Sequence, residues 1–322
     1  MASRNSGDQD TVLLARPGGI EVEIISTGAA IRSIWVPTRE GRRNVVLSYP
    51  SLDGYREDPY FVGATIGPYA NRIANASFGM DGRTFDLDAN EPGRGNCLHG
   101  GSDGLHRCEF RLSLQEHDST ILCCVAGLAD GVNGFPGNRD YEVIYQLPDP
   151  WTLTIDYRVT TDRDTIISLT NHTYFNLGGS IDDHNVAVNA DRYTPLDHNQ
   201  IPTGEIADVT ATSLDLRQSQ SLGARTYDHN FVLNQGKQSL KQAAKLSSPS
   251  GGISVSIFTS APALQLYTGD GLGEPFWRRA GLCLEPQQCP NAPNEPVFPS
   301  PKLNKDETYH ACIEYRFEIA LD

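Results

Sequence analysis

The feature that most constrains this chain is a two-residue alternation. Near the C-terminal end Tyr309, Ala311, Ile313, Tyr315, Phe317, Ile319 and Leu321 fall on one side, and His310, Cys312, Glu314, Arg316 and Glu318 on the other. Successive strand side chains point to opposite faces, so such a run folds as a strand with one face in a core and the other toward water. The pattern returns at Thr152 to Thr160 and Gly252 to Thr259, and more briefly at Glu21 to Ile25, Ile31 to Val36 and Glu142 to Leu147. One-sided alternation is the mark of antiparallel sheets. Turn dipeptides such as Asp81-Gly82, Asp130-Gly131 and Asn133-Gly134 punctuate the runs. Helical periodicity is scarce: Leu240 to Leu246 and Ser51 to Tyr55 are expected to form brief helical turns. No repeat or linker divides the chain. The expected fold is all-β, a large antiparallel β-sandwich over residues 11–322 behind a flexible tail at 1–10.

Composition narrows what such a sandwich can do. The 322 residues are 39% hydrophobic and 20% charged, a globular balance. A net charge of −14 repels phosphate backbones and anionic bilayers, so no nucleic acid or membrane partner is expected and a neutral ligand is favoured. No apolar run spans a bilayer, and Met1 to Asp10 lack the apolar core of a secretory signal. Seven cysteines without a Cys-x-x-Cys pair suggest reduced thiols and a cytoplasmic setting. A P-loop, a serine nucleophile elbow and a His-x-x-x-His spacing are all missing from the sequence, so neither a cofactor nor a metal is expected.

Two segments carry candidate chemistry. In Ile166 to Leu177, alternation places Ser168, Thr170, His172 and Tyr174 together, opposite Ile167 and Leu169, so His172 projects among hydroxyls. Gly281 to Gln287 reads as an apolar strand ending on Glu285, where burial raises a carboxyl toward the range of a general base. A proline-rich stretch, Glu285 to Lys302, follows with six prolines and little alternation, and irregular segments of that length are usually functional. Arg72 offers a rigid fork of donors. His99 precedes two glycines that permit close backbone approach, and Asp228 could clamp vicinal hydroxyls. Each of these alone is equally an ordinary loop or surface residue.

Their joint order is more telling. GPYANRIAN at Gly67, LHGG at Leu98, VNGFPG at Val132, TNHTYFNL at Thr170, YDHNFVL at Tyr227, LQLYTGD at Leu264, and LEPQ and PNAPN from Leu284 together resemble the aldose 1-epimerase (galactose mutarotase) family. The resemblance implies a galactose mutarotase-like β-sandwich that interconverts the α and β anomers of a free hexose. It implies Glu285 as general base and His172 as general acid. Arg72, His99 and Asp228 would hold hydroxyls, with Asn71, Tyr174 and Gln265 as secondary sugar contacts. The expected assembly is a monomer or homodimer. Pro68, Pro286 and Cys289-Pro290-Asn291 depart from the family pattern and bear on the cleft's shape and substrate range. The alternatives are a non-catalytic sugar-binding protein on the same sandwich, and a relative recruited to a phosphosugar or a specialised hemiacetal. A glycosidase would need two carboxylates flanking the scissile bond.

Overall fold

The structure, a computed structural model, describes residues 10–234 and 240–319. Positions 1–9 of the expected tail and Leu321 of the C-terminal alternation lie outside the described residues.

Three antiparallel sheets make up most of the architecture. In the nine-stranded sheet, the hairpin-connected strands Arg111–Gln115, Asp118–Leu128, Arg139–Asp149 and Thr152–Thr161 lead to the C-terminal strand Thr308–Ile319. Beyond it lie Ile253–Thr259, Lys241–Ser248, Asn185–Val188 and Gln220–Ser221. A six-stranded sheet runs in the order Tyr174–Phe175, Leu282–Gln287, Ala263–Tyr267, Asp228–Val232, Arg192–Tyr193 and Ala207–Asp208. A four-stranded sheet spans residues 11–44.

The alternation read from sequence is the alternation of burial. Leu153, Ile155, Tyr157 and Val159 are inaccessible or nearly so, as are Ile313, Tyr315 and Phe317 on the neighbouring strand. They meet Leu264, Leu266, Leu282, Leu284, Phe231 and Phe175 of the six-stranded sheet in one apolar cluster, which Val12, Leu14, Val22 and Ile24 join from the four-stranded sheet. Phe175 and Tyr315 stand edge to face across it, with ring centroids 5.2 Å apart. Burying a large apolar side chain contributes roughly 1.5–3 kcal/mol, so this shared core holds the sheets face to face. The Asp81-Gly82 hairpin closes Met80 onto Arg83 with both central residues at positive φ, as a two-residue turn matching strand twist requires.

Two local expectations change and one holds. Leu240 to Leu246 does not form a helical turn; it enters the strand Lys241–Ser248, where a register shift between Gln242 and Ala244 buries both Ala243 and Ala244. That irregularity breaks the period of two and mimics a helical pattern. Ser51 to Tyr55 does contain a helical turn, at Asp53–Arg56. The segment from Ile166 to Leu177 is interrupted into Thr165–Ile166, Thr170–Asn171 and Tyr174–Phe175, although its facing holds: Ile167 and Leu169 enter the core, and His172 points away from it.

Candidate active site

The six-stranded sheet positions the site through its outer face. Leu282, Leu284, Leu264, Leu266, Phe231 and Phe175 point into the core. Their alternating neighbours therefore point the other way, and pairing sets them side by side: Tyr174 opposite Cys283, Gln265 opposite Glu285, Asn230 opposite Gln265, and Asp228 opposite Tyr267. Glu285 is not the end of its strand, as the sequence reading had it. The strand continues through Pro286 to Gln287, and Tyr174–Phe175 flanks it only at Leu282 and Cys283. Pro286 thus has a ladder partner on one side alone, where a strand tolerates the missing N–H.

The rest of the site comes from loops folded over this face. Arg72–Ile73 pairs with Cys97–Leu98 and so brings Arg72 beside His99. His99 and the two glycines after it all have positive φ. A Cβ on Gly100 would lie 2.2 Å from the Gly67 carbonyl oxygen, so the close approach expected of this pair is real. The His172 N–H donates to the Ala64 carbonyl, and the His172 carbonyl accepts from the Gly63 N–H. The proline-rich segment braces the assembly from behind. The Asn291 N–H donates to the Arg72 carbonyl at 2.8 Å, the Gln288 N–H to Ser168 Oγ at 3.1 Å, and the Tyr69 hydroxyl to the Cys289 carbonyl at 2.7 Å.

These elements enclose a cleft of about 260 Å³ lined by all eight residues singled out from sequence: Asn71, Arg72, His99, His172, Tyr174, Asp228, Gln265 and Glu285. The departures Pro68, Pro286 and Cys289 are not among its lining residues. On its floor His172 Nε2 lies 3.8 Å from Glu285 Oε2, with both side chains almost fully buried. His172 Nδ1 is 3.5 Å from Cys283 Sγ. Glu285 Oε2 and Gln265 Oε1 are buried without a hydrogen-bond partner among the described residues. The other Gln265 end donates to Asp228 Oδ1 at 2.6 Å, and Arg72 Nη1 stands 3.9 Å from Asp228 Oδ2. The Asn71 N–H donates to His99 Nδ1 at 3.2 Å, so the proton of neutral His99 sits on Nε2.

Burial dominates the electrostatics. It pushes His172 down to about 4. It holds His99 well below the usual imidazole value, with His172 and Arg72 adding to the effect. Glu285 is driven well above the carboxylate range by burial first and by Asp228 second, against the pull of Arg72. The sequence reading expected an ionised glutamate and a protonated histidine. The buried pair instead favours neutral imidazole beside neutral carboxyl, with the same single proton placed on the other partner.

Sequence reasoning missed three contributors. Tyr60 and Phe61 wall the cleft, and the Phe61 ring stands edge-on to His99 at 4.6 Å and near His172 at 5.8 Å. Tyr267 lines it as well, and its place in LQLYTGD, one alternation step from Gln265, was the signal available. Glu91 lies behind Arg72, accepting from its Nε, and is not among the residues lining the cleft.

With this geometry in view, the comparisons are consistent. The aldose 1-epimerase family pattern matches residues 10–316. The chain belongs to the aldose 1-epimerase family. It is 36% identical to the galactose mutarotase of Rattus norvegicus over 95% of this chain and 93% of that one. It is 34% identical to the aldose 1-epimerase of Escherichia coli K12, over 94% of each. Among solved structures, an aldose epimerase homologue from C. elegans superposes with a TM-score of 0.89 at 28% identity, covering 97% of this chain and 99% of that one. A galactose 1-epimerase from Lactobacillus acidophilus gives 0.84 at 26% identity, covering 100% and 98%. The galactose mutarotase-like sandwich expected from sequence is thus the fold of this aldose 1-epimerase family member.

Proposed function

We propose that the protein interconverts the α and β anomers of a free hexose such as galactose or glucose, with Glu285 and His172 as its acid–base pair. The observation that carries this reading is the buried carboxyl–imidazole pair 3.8 Å apart on the cleft floor, with one carboxyl oxygen unpartnered within the protein. In the reaction the O1 hydroxyl loses a proton, the C1–O5 bond breaks as C1 becomes a carbonyl, and O5 gains a proton. Rotation about C1–C2 and reclosure yield the other anomer. The sugar loses no electrons, and each proton taken up is returned. Ring hydroxyls donating to Glu285 favour its ionised form and move the shared proton to His172. Glu285 then accepts from O1 while His172 donates to O5. Reclosure reverses both transfers, so one proton on the pair serves both directions.

The surrounding groups suit a neutral polyol. Asp228, Gln265, Asn71 and His99 supply acceptors and donors for hydroxyls, and Tyr174, Tyr60 and Phe61 cover carbon faces. Among the described residues Arg72 is the only Lys or Arg lining the cleft, and its charge is already met by Glu91 and Asp228, which favours an unphosphorylated sugar. Ligating atoms of His99, His172 and Glu285 lie within 4.8 Å of one another. A cation needs its carboxylate ionised, and the raised Glu285 works against that. Seven unpaired cysteines support a reducing, cytoplasmic setting, with a monomer or homodimer as the expected assembly. No helix among the described residues is long and apolar enough to cross a membrane.

Polarimetry on freshly dissolved α-galactose or α-glucose tests the assignment. Glu285→Gln and His172→Asn are each expected to slow mutarotation by roughly 10²–10⁴-fold while circular dichroism stays unchanged. A near-wild-type rate in either variant overturns the pair.

A further inference from the structure

Arg72 is held from two sides. Its Nε donates to Glu91 Oε1 at 2.9 Å, while Nη1 reaches to 3.9 Å from Asp228 Oδ2 at the cleft. The Arg72 and Glu91 side chains retain only 11% and 8% of their exposure, whereas Asp228 keeps 32%. Glu91 is itself fixed. Its Oε1 also accepts from Arg94 Nη1 at 2.7 Å, and its Oε2 accepts from Asn96 Nδ2 at 2.9 Å. Asn96 in turn ties down the Asn75 N–H and the Asn199 carbonyl. Burial alone would raise Glu91, but the Arg72 charge and the bonds from Asn96 and Arg94 hold it below its usual range, so it stays ionised at neutral pH.

A guanidinium facing a lone carboxylate closes onto it as a two-pronged pair and consumes both oxygens. That closure has not occurred between Arg72 and Asp228: Glu91 holds the Nε edge of Arg72, and Gln265 donates to Asp228 Oδ1 at 2.6 Å. We propose that Glu91 is a positioning residue for sugar binding: by holding the Nε edge of Arg72 from behind, it keeps Arg72 from closing on Asp228 and leaves the Arg72 Nη groups and Asp228 Oδ2 for ring hydroxyls. Glu91 touches no sugar and acts only through Arg72. The inference rests on the cleft being a sugar site.

A double-mutant cycle tests it, using galactose affinity by calorimetry alongside mutarotation kinetics on the full chain. Glu91→Gln is expected to weaken galactose binding and raise KM about tenfold or more, with kcat changed less than about threefold. In an Arg72→Gln background the same substitution is expected to have no further effect on affinity, because the group it positions is gone. Unchanged affinity in Glu91→Gln, or an equal further loss in the double variant, overturns the proposal and reduces Glu91 to a loop fastener. If Glu91→Gln does not fold, Glu91→Asp keeps the charge, shortens the reach and carries the same cycle. A wild-type protein that binds galactose without mutarotating it would end the proposed activity and leave the affinity cycle to judge Glu91 separately.

Discussion

At the residue scale, His172 and Glu285 load the folded state with opposite pH dependences. An unfolded histidine takes up its proton near 6.5, but folded His172 resists until about 4. Between these values the unfolded chain binds the extra proton, so this group's stability, full above 6.5, is lost as pH falls. Glu285 runs the other way. Its folded carboxyl keeps a proton that the unfolded chain has released, so its contribution is full below about 4.3 and is lost as pH rises. In the wild type the two slopes offset each other between about pH 4.5 and 6.5. Urea unfolding at pH 5 and pH 7 should separate them. His172→Asn is expected to gain stability on acidification relative to wild type, and Glu285→Gln to lose it, each by at most about 1.4 kcal/mol per pH unit. Parallel slopes in all three proteins would refute opposed burial shifts. The sequence alone set His172 on a polar face and Glu285 at the end of an apolar strand. Burial was expected for the Glu285 carboxyl but not for the His172 imidazole, because that depends on loops arriving from more than a hundred positions away.

At the element scale, the segment from Asp58 to Val62 decides how tightly the cleft is walled. The buried Asp58 carboxylate accepts from the Tyr49 hydroxyl and the Tyr60 N–H, both at 2.7 Å, and from the Val62 N–H. Phe61, between those two amides, has φ of 61°, a conformation a bulky side chain adopts only when its surroundings enforce it. The Tyr60 carbonyl accepts the Tyr174 hydroxyl at 3.1 Å, linking this loop to the six-stranded sheet. Asp58→Ala should therefore cost roughly 1–3 kcal/mol in denaturant unfolding and lower kcat/KM through a displaced Phe61. Wild-type values on both counts would show that the carboxylate does not set the loop. Nothing in Asp58-Pro59-Tyr60-Phe61 announces this from sequence, since the signal is three acceptor bonds that exist only once the loop is folded. Strands were far more legible. Thr152–Thr161 and Ile253–Thr259 match their predicted spans closely, because one-sided burial writes itself into alternation. The strand at Lys241–Ser248 was lost to its bulge, and Glu285 was placed at a strand end because proline normally stops one.

At the scale of the whole molecule, the ordered motifs gave the family and eight of the residues that line the cleft, yet the pairing that assembles them was invisible. Gln265 meets Glu285 and Tyr174 meets Cys283 through register between distant segments, which a single sequence encodes only through the finished core. Glu91 escaped notice for the same reason, since its meaning lies in what it holds.

Those strands have one further consequence. The residues that hold the proposed acid–base pair are the reverse side of Leu264, Leu266, Leu282 and Leu284, the wall of the main core. The site therefore has little opening mode of its own: loosening Glu285 means exposing those leucines, at a cost close to that of global unfolding. Amides of Leu282–Gln287 and Ala263–Tyr267 should be among the slowest to exchange with deuterium. On heating, loss of mutarotation and loss of near-ultraviolet dichroism are expected to trace a single curve. Activity that vanishes well below the melting transition would mean that the cleft can come apart while the sandwich stands.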